Sequence, residues 1–177
     1  MKLKPIELRT TEPTQEQLDS IKRQEIYIVL DDVLDTYNVG SVFRLADAVG
    51  ASKVYLCNRT ETPPNTRIKK ASINTWQWTP WEYTATAVEA ITKLKEEVPN
   101  IQIVAVEQDK KSVDFFTFEY TLPIALVVGN ETAGCSQETL SKCDAIVELP
   151  MFGVNTSLNV MVTLGIALYK VIEETKR

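Results

Sequence analysis

The sequence predicts an α/β fold: one domain with a mostly parallel sheet flanked by helices. Two observations carry this. Short apolar runs of strand type alternate with segments of helical periodicity, and no internal repeat, linker or low-complexity stretch interrupts them. The 177-residue chain is also long enough for one full hydrophobic core and short for two.

The elements follow in order. Residues 1–13 read as a loose arm. Thr14 and Gln17 fit a capping box that opens a short helix to about Arg23, so residues 1–25 form an N-terminal arm ahead of a main domain at 26–177. Residues 26–32 are β-branched and aromatic, then acidic, as a strand and its end would be. Val39, Val42, Phe43, Ala46 and Val49 recur at the spacing of a helix face, with Gly50 as the stop and residues 53–57 as the next strand. Residues 58–75 read as a polar loop carrying Pro63, Pro64 and several basic residues, and a tryptophan-rich piece fills 76–83. A helix is expected over about 86–97, ending before Pro99. Residues 101–107, 124–131 and 145–150 have the look of buried strands. Ser136 can cap a helix to about Lys142, and the last helix is expected over 157–174.

Composition removes several function classes. The chain is 44% apolar and 24% charged, ordinary for a globular protein. No run approaches the roughly 20 apolar residues that span a bilayer, and the first residues show no signal peptide, so no membrane role and a cytoplasmic location are expected. There is no histidine, which excludes Ser-His-Asp and Cys-His catalysis and imidazole metal sites. Cys57, Cys135 and Cys143 are odd in number and lack CxxC spacing; they read as reduced thiols in or near the core, and no metal is expected. With a net charge of −5, nucleic-acid binding requires basic residues to cluster locally.

The final helix is apolar nearly all round. Leu158, Met161, Val162, Gly165, Leu168 and Ile172 form one stripe; Val160, Leu164, Ala167 and Val171 form a second. A small domain can hardly cover both, so a homodimer seam is expected, with an unusually central helix as the alternative.

Three segments break the apolar pattern after predicted strands. The first holds Asn38, Gly40, Arg44 and Ala46; the second Gly129, Glu131 and Gly134; the third Ser157, Leu158 and Asn159. In open α/β sheets ligands bind beyond the carboxyl ends of strands, so the three could meet at one site. Each also has a purely local account. Asn38 could cap a helix and Gly40 make a tight turn, Gly129 and Gly134 could supply positive φ, and Ser157 and Asn159 could cap the last helix. No GxGxxG or GxxxxGK[ST] is present, so a dinucleotide site or P-loop is not supported.

Together the patterns Asn-x-Gly-x-x-x-Arg-x-Ala, Gly-x-Glu-x-x-Gly and Ser-Leu-Asn-Val resemble the three signature motifs of the SpoU (TrmH) RNA ribose methyltransferases of the SPOUT superfamily, over about residues 26–174. The resemblance implies a deep trefoil knot whose C-terminal segment passes through a loop, which then cradles S-adenosylmethionine. It implies methyl transfer to a ribose 2′-hydroxyl. Asn38, Arg44, Glu131, Ser157 and Asn159 then become catalytic or RNA-orienting, and cofactor contacts fall around Glu107, Gly129, Leu149 and Leu158. Asn130, Thr132 and Ala133 fill variable places, and Asn74 stands where glycine is expected. The resemblance further implies a lone domain, without the RNA-binding domain or C-terminal extension of some relatives.

Those residue types suit that chemistry. The cofactor brings an electrophilic methyl, so the protein must mainly align the 2′-oxygen and manage one proton. An arginine can hold the adjacent phosphate bidentately; its pKa, above about 12, favours orientation over base catalysis. Arg59, Arg67, Lys69 and Lys70 cluster near Trp76, Trp78 and Trp81, as phosphate contacts and base stacking would require, though the tryptophans could equally pack on the sheet edge. So small a basic surface suits tRNA better than ribosomal RNA. A catalytically idle domain of the same fold, binding RNA or protein, is the rival reading, and an α/β enzyme with a nucleotide cofactor is a third.

Overall fold

The computed structural model describes residues 3–8 and 11–175; the rest of the expected N-terminal arm lies outside the described residues. Helices α1 (Pro5–Leu8) and α2 (Gln15–Asp19) come first, so part of the arm is a helical turn. The Thr14–Gln17 capping box is present in both directions, and α2 stops at Asp19 rather than near Arg23. Then follow β1 (Gln24–Asp31), α3 (Thr36–Val49), β2 (Ala51–Cys57), α4 (Thr66–Ser72), β3 (Trp81–Thr84), α5 (Ala87–Glu97), β4 (Gln102–Val106), β5 (Val113–Asp114), β6 (Ile124–Gly129), α6 (Gln137–Leu140), β7 (Ala145–Glu148) and α7 (Val160–Thr175).

The strands form one sheet in the order β3-β2-β1-β6-β4-β7-β5, and every pairing is parallel. Strand β1 is central: Leu30 sits opposite Leu56 of β2 on one side and Val128 of β6 on the other. A parallel sheet needs apolar cover on both faces. One face packs Ile26, Ile28, Leu30 and Leu126 against Val42 and Phe43 of α3, Ile68 of α4, and Leu164 and Leu168 of α7. The other packs Val29, Tyr55 and Val127 against Ile91 and Leu94 of α5 and Leu140 of α6. Each large apolar side chain buried this way contributes about 1.5–3 kcal/mol.

Helix α3 begins earlier than its apolar stripe. Its N-cap is Asp35, whose side chain accepts from the Tyr37 amide, so Asn38 lies inside the helix and is not a cap. Gly40 is no turn residue either. A Cβ there would lie 2.6 Å from the Ala71 Cβ and 2.7 Å from the Ile68 carbonyl, so its bare backbone lets α4 pack flush on α3.

Residues 58–75 are not simply a loop. They contain α4, capped by the Asn65 side chain, which accepts from the Arg67 and Ile68 amides. The helix ends on two consecutive left-handed residues, Ile73 (φ 53°) and Asn74 (φ 66°). Asparagine tolerates this conformation, which settles its standing where glycine was expected; Ile73 is held there against its β-branch. The Asn74 amide also donates to the Leu8 carbonyl at 2.8 Å, tying α1 to this turn. The tryptophans are structural: Trp76 and Trp81 pack against the core, and the Trp78 indole donates to Asp47 at 2.7 Å.

Helix α7 divides differently from the two expected stripes. Leu168 is fully buried and joins Leu164, Ala167 and Val171 in the chain's own core, while Leu158, Val162, Ile166 and Tyr169 are the exposed apolar residues. Cys57 and Cys135 are buried and Cys143 half-buried; burial pushes the Cys57 and Cys143 thiols up to about 12 and raises the Cys135 thiol as well, which disfavours the reactive thiolate at all three. No helix among the described residues is long and apolar enough to cross a membrane.

Candidate active site

Beyond the carboxyl ends of β4, β6 and β7 lies a cavity of about 520 Å³. Its walls come from residues 106–108, 128–134, 148–149, Met151 and 155–160, with Thr163 of α7. Three carboxylates, Glu107, Glu131 and Glu148, face it, and no lysine or arginine does. A larger cleft of about 720 Å³ sits at the other end of α3, lined by Leu18, Gly50, Trp78 and Tyr169. That cleft is at the amino ends of the strands, where parallel sheets do not build sites.

The loop after β6 is held in a tight conformation. Asn130 and Gly134 exchange backbone hydrogen bonds at 3.1 and 2.9 Å, while the Asn130 side chain accepts from the Thr132 and Ala133 amides and donates to the Asp32 carbonyl. Gly134 has positive φ (68°); Gly129 does not. Gly129 is needed for a different reason, since a Cβ there would meet the Cys135 nitrogen and the Gly134 carbonyl carbon at 2.2 Å. Glu107 braces the loop from β4, accepting from the Cys135 amide at 3.1 Å and from its neighbour Gln108 at 2.9 Å.

Glu131 is the hub of the site. Its carboxylate accepts from the Leu34 and Asp35 amides at 3.1 and 3.0 Å and from the Asn38 side chain at 2.9 Å. The carbonyl oxygen of that Asn38 amide accepts from the Asn159 side chain at 3.1 Å. Asn159 in turn accepts from the Met161 amide at 2.9 Å and so caps α7. Desolvation alone would raise the Glu131 pKa, but the hydrogen bonds from Asn38 and the two amides hold it below the usual carboxylate value. Each of the three segments thus lends one side chain to a single network. Because the Glu131 oxygens are occupied, the residue suits positioning α3 better than proton transfer.

The remaining expected residues divide into four groups. Gly129, Glu107, Leu149, Ser157 and Leu158 line the cavity together with Glu131 and Asn159. Helix α7 starts at Val160, so Ser157 does not cap it; residues 152–159 form an exposed loop, fastened by Gln108, whose side chain donates to the Thr156 carbonyl at 2.5 Å. Arg44 lies outside the cavity, exposed on α3, with no ion-pair partner among the described residues. Arg67, Lys69 and Lys70 are exposed on α4. Arg59 stands apart from them: its guanidinium donates twice to Asp32, at 3.0 and 2.5 Å, in a pair that joins the ends of β1 and β2.

Sequence reasoning missed Asn130, Gln108 and Asp31 as builders of the site. Asp31 is buried and accepts from the Asn58 side chain at 2.6 Å and the Ser136 amide at 3.0 Å, anchoring both flanking loops. Asn130 carried a readable signal, an asparagine positioned to bond the amides two and three residues on. Gln108 and Asp31 carried none.

Comparison with known proteins agrees with this fold. Residues 25–169 match the SpoU rRNA Methylase family. The chain is 36% identical over 156 residues to a tRNA (guanosine(18)-2′-O)-methyltransferase of Aquifex aeolicus, covering 84% of this chain and 70% of that one. It is 30% identical over 159 residues to a 23S rRNA (guanosine-2′-O-)-methyltransferase of Ralstonia nicotianae, covering 90% of this chain and 63% of that one. A TrmH family relative in Bacillus subtilis is 32% identical over 148 residues, which are 84% of this chain and 58% of the relative. The chain therefore spans about three fifths of the length of two of these relatives. Among solved structures, the A. aeolicus TrmH/SpoU tRNA modifying enzyme superposes with a TM-score of 0.80 at 30% identity, covering 92% of this chain and 84% of that one. The SpoU methyltransferase AviRb of Streptomyces viridochromogenes, in complex with AdoMet, gives 0.79 at 26%, covering 90% and 64%. The matched stretch contains all three segments whose side chains meet in this network, and the chain belongs to the SpoU methylase family.

Proposed function

We propose that the protein is an S-adenosylmethionine-dependent RNA methyltransferase acting on a ribose 2′-hydroxyl. The observation that carries this reading is the cavity whose rim is fixed by the Glu131–Asn38–Asn159 network. Its walls fit the cofactor: Val106, Val128, Leu149 and Leu158 give apolar surface for an adenine, and three carboxylates with no cation suit a sulfonium and an ammonium group. When bound, the cofactor supplies an electrophilic methyl group. The protein's own task is to present the 2′-oxygen in line with that carbon and to exclude water. Arg44, exposed on α3 with no ion-pair partner among the described residues, would hold a backbone phosphate and so orient the ribose, while Ser157 and Asn159 offer polar atoms at the cavity edge.

The substrate reading favours tRNA, because α4 offers only Arg67, Lys69 and Lys70 for phosphates. The threading of the C-terminal segment through a loop, as a deep trefoil knot, belongs to the same proposal. So does a homodimer formed through Leu158, Val162, Ile166 and Tyr169, an exposed apolar row unusual for a lone helix. Ile166→Glu is expected to yield a folded monomer by light scattering; an unchanged mass would remove this face from the interface.

The deciding experiment incubates the protein with labelled S-adenosylmethionine and unmodified tRNA or ribosomal RNA transcripts, then identifies methylated nucleosides by mass spectrometry. A 2′-O-methyl nucleoside is expected, with Arg44→Ala inactive while its cofactor affinity stays within a few-fold. Transfer to a base, or to neither RNA, overturns the reading.

A further inference from the structure

The outer face of α3 carries a feature that the network does not use. Tyr37, Ser41, Arg44 and Ala48 recur at i, i+4, i+7 and i+11, so they share one stripe of the helix. Neighbouring helices pack on either side of it. Gly40 faces α4, while Leu45 faces Gly165 of α7, where a Cβ would sit 3.4 Å from the Leu45 side chain. The stripe between them stays open. At its site end Tyr37 is 45% exposed, and its hydroxyl has no hydrogen-bond partner among the described residues. Its backbone, by contrast, is fixed: the Tyr37 amide donates to Asp35, and the preceding turn is clamped by Glu131. The next residue, Asn38, donates to Glu131 and accepts from Asn159. An aromatic ring on a fixed backbone therefore stands in solvent beside the site, on the same stripe as Arg44, which has no ion-pair partner among the described residues.

Exposure alone would mean little for a tyrosine, since single exposed aromatics are common. Position gives it meaning. Tyr83 is similarly exposed, yet its hydroxyl is satisfied by the Asn58 carbonyl at 3.0 Å, and Tyr169 belongs to the apolar row on α7. The Tyr37 hydroxyl has no polar partner among the described residues, and the ring lies outside the apolar row on α7. It stands about 10 Å along the helix axis from Arg44, a span that two long side chains can close around one nucleotide. The Arg67, Lys69 and Lys70 cations lie on α4, the helix that borders this stripe.

We propose that Tyr37 is a substrate-positioning residue that stacks on the base of the nucleotide whose phosphate Arg44 holds. The inference rests on the RNA methyltransferase reading given above. A tyrosine ring offers a flat apolar face at low cost in side-chain freedom, and stacking accepts any base. Tyr37 would thus fix where the ribose sits without reading sequence, leaving sequence preference to other contacts.

The test compares Tyr37→Ala and Tyr37→Phe with the wild type in equilibrium binding to unmodified tRNA and 23S rRNA-fragment transcripts across a salt series. Tyr37→Ala should weaken binding to the methylated transcript about tenfold and raise its KM to match. Tyr37→Phe should stay within about twofold of the wild type. The salt slope should not change in either variant, because no phosphate contact is removed. Calorimetry with S-adenosylhomocysteine and light scattering should show unaltered cofactor affinity and mass. Wild-type affinity in Tyr37→Ala, with methyl transfer intact, overturns the stacking role alone. So does loss of the dimer in that variant, which would mean that a second copy covers Tyr37. Absence of methyl transfer by the wild type to any RNA overturns the functional reading, and the stacking role with it.

Discussion

The cavity and helix α4 carry opposite electrostatics within one acidic chain. Glu107, Glu131 and Glu148 face the cavity without a cation among its lining residues, whereas α4 presents Arg67, Lys69 and Lys70 without an acid. The two regions are joined through α3, which Glu131 clamps at its N-terminus and which Gly40 holds flush against α4. A net charge of −5 thus conceals two local surfaces of opposite sign. A cationic small molecule is favoured on one side and a polyanion on the other, and each is disfavoured where the other belongs. Whole-chain charge is a poor guide when binding surfaces are this local.

The comparison can be broken most severely from the cavity side. Gly129→Ala forces a methyl group against the Cys135 nitrogen and the Gly134 carbonyl carbon, both backbone atoms that cannot step aside. The variant should lose about 3 kcal/mol of stability in urea unfolding and all measurable S-adenosylhomocysteine binding. A full-affinity variant would show that the loop after β6 does not shape the cavity.

Glu131→Gln is the milder cut on the same side. The amide keeps the volume but turns one acceptor into a donor facing a backbone N–H. About 1 kcal/mol should be lost after allowance for solvent screening, while methyl transfer falls far more because α3 and Asn159 lose their register. The effect has a pH signature. Because the Glu131 pKa is lowered on folding, its stabilisation is complete above the unfolded carboxylate value and disappears as pH falls through the folded one. The stability gap between wild type and variant should hold from neutrality down to about pH 5, then close in acid. A gap that instead grows on acidification would show that Glu131 is not the hub.

The smallest effect belongs to α4. Replacing Lys69 and Lys70 together by alanine should leave folding and cofactor binding unchanged and weaken all RNAs alike, with the salt slope reduced by about two. An unchanged slope would move the phosphate contacts to another surface.

How much of this was legible depended on sequence distance. Helix α3, α5 and the central strands follow from local periodicity, and the Thr14 and Ser136 caps from single residues. Helix α4 was hidden because seven residues show too little periodicity, and β3 and β5 because short edge strands bury little. The motif residues could be named in advance, but not their partners: Asn38 meets Glu131 across 93 positions and Asn159 across 121. The three segments do meet, through Asn38, Glu131 and Asn159, but not with every residue named in them. Asn38 touches the network, while Arg44 stands on an outer face that local spacing does not distinguish from solvent. Strand order was equally out of reach, since nothing near β1 announces that β6 will pair beside it.

That pairing has a consequence for the nascent chain. Strand β1 is made early, and β2 can close one of its edges within a few dozen residues, but the other edge waits for β6, roughly a hundred residues later. At ribosomal speeds of about 5–20 residues per second, an apolar strand edge stays unpaired for about 5–20 s. During that interval Ile26, Ile28 and Leu30 offer open backbone donors and acceptors to any other unfinished strand nearby. The protein's exposure to aggregation is thus concentrated in its own synthesis, and slower translation of the stretch between β2 and β6 would lengthen it.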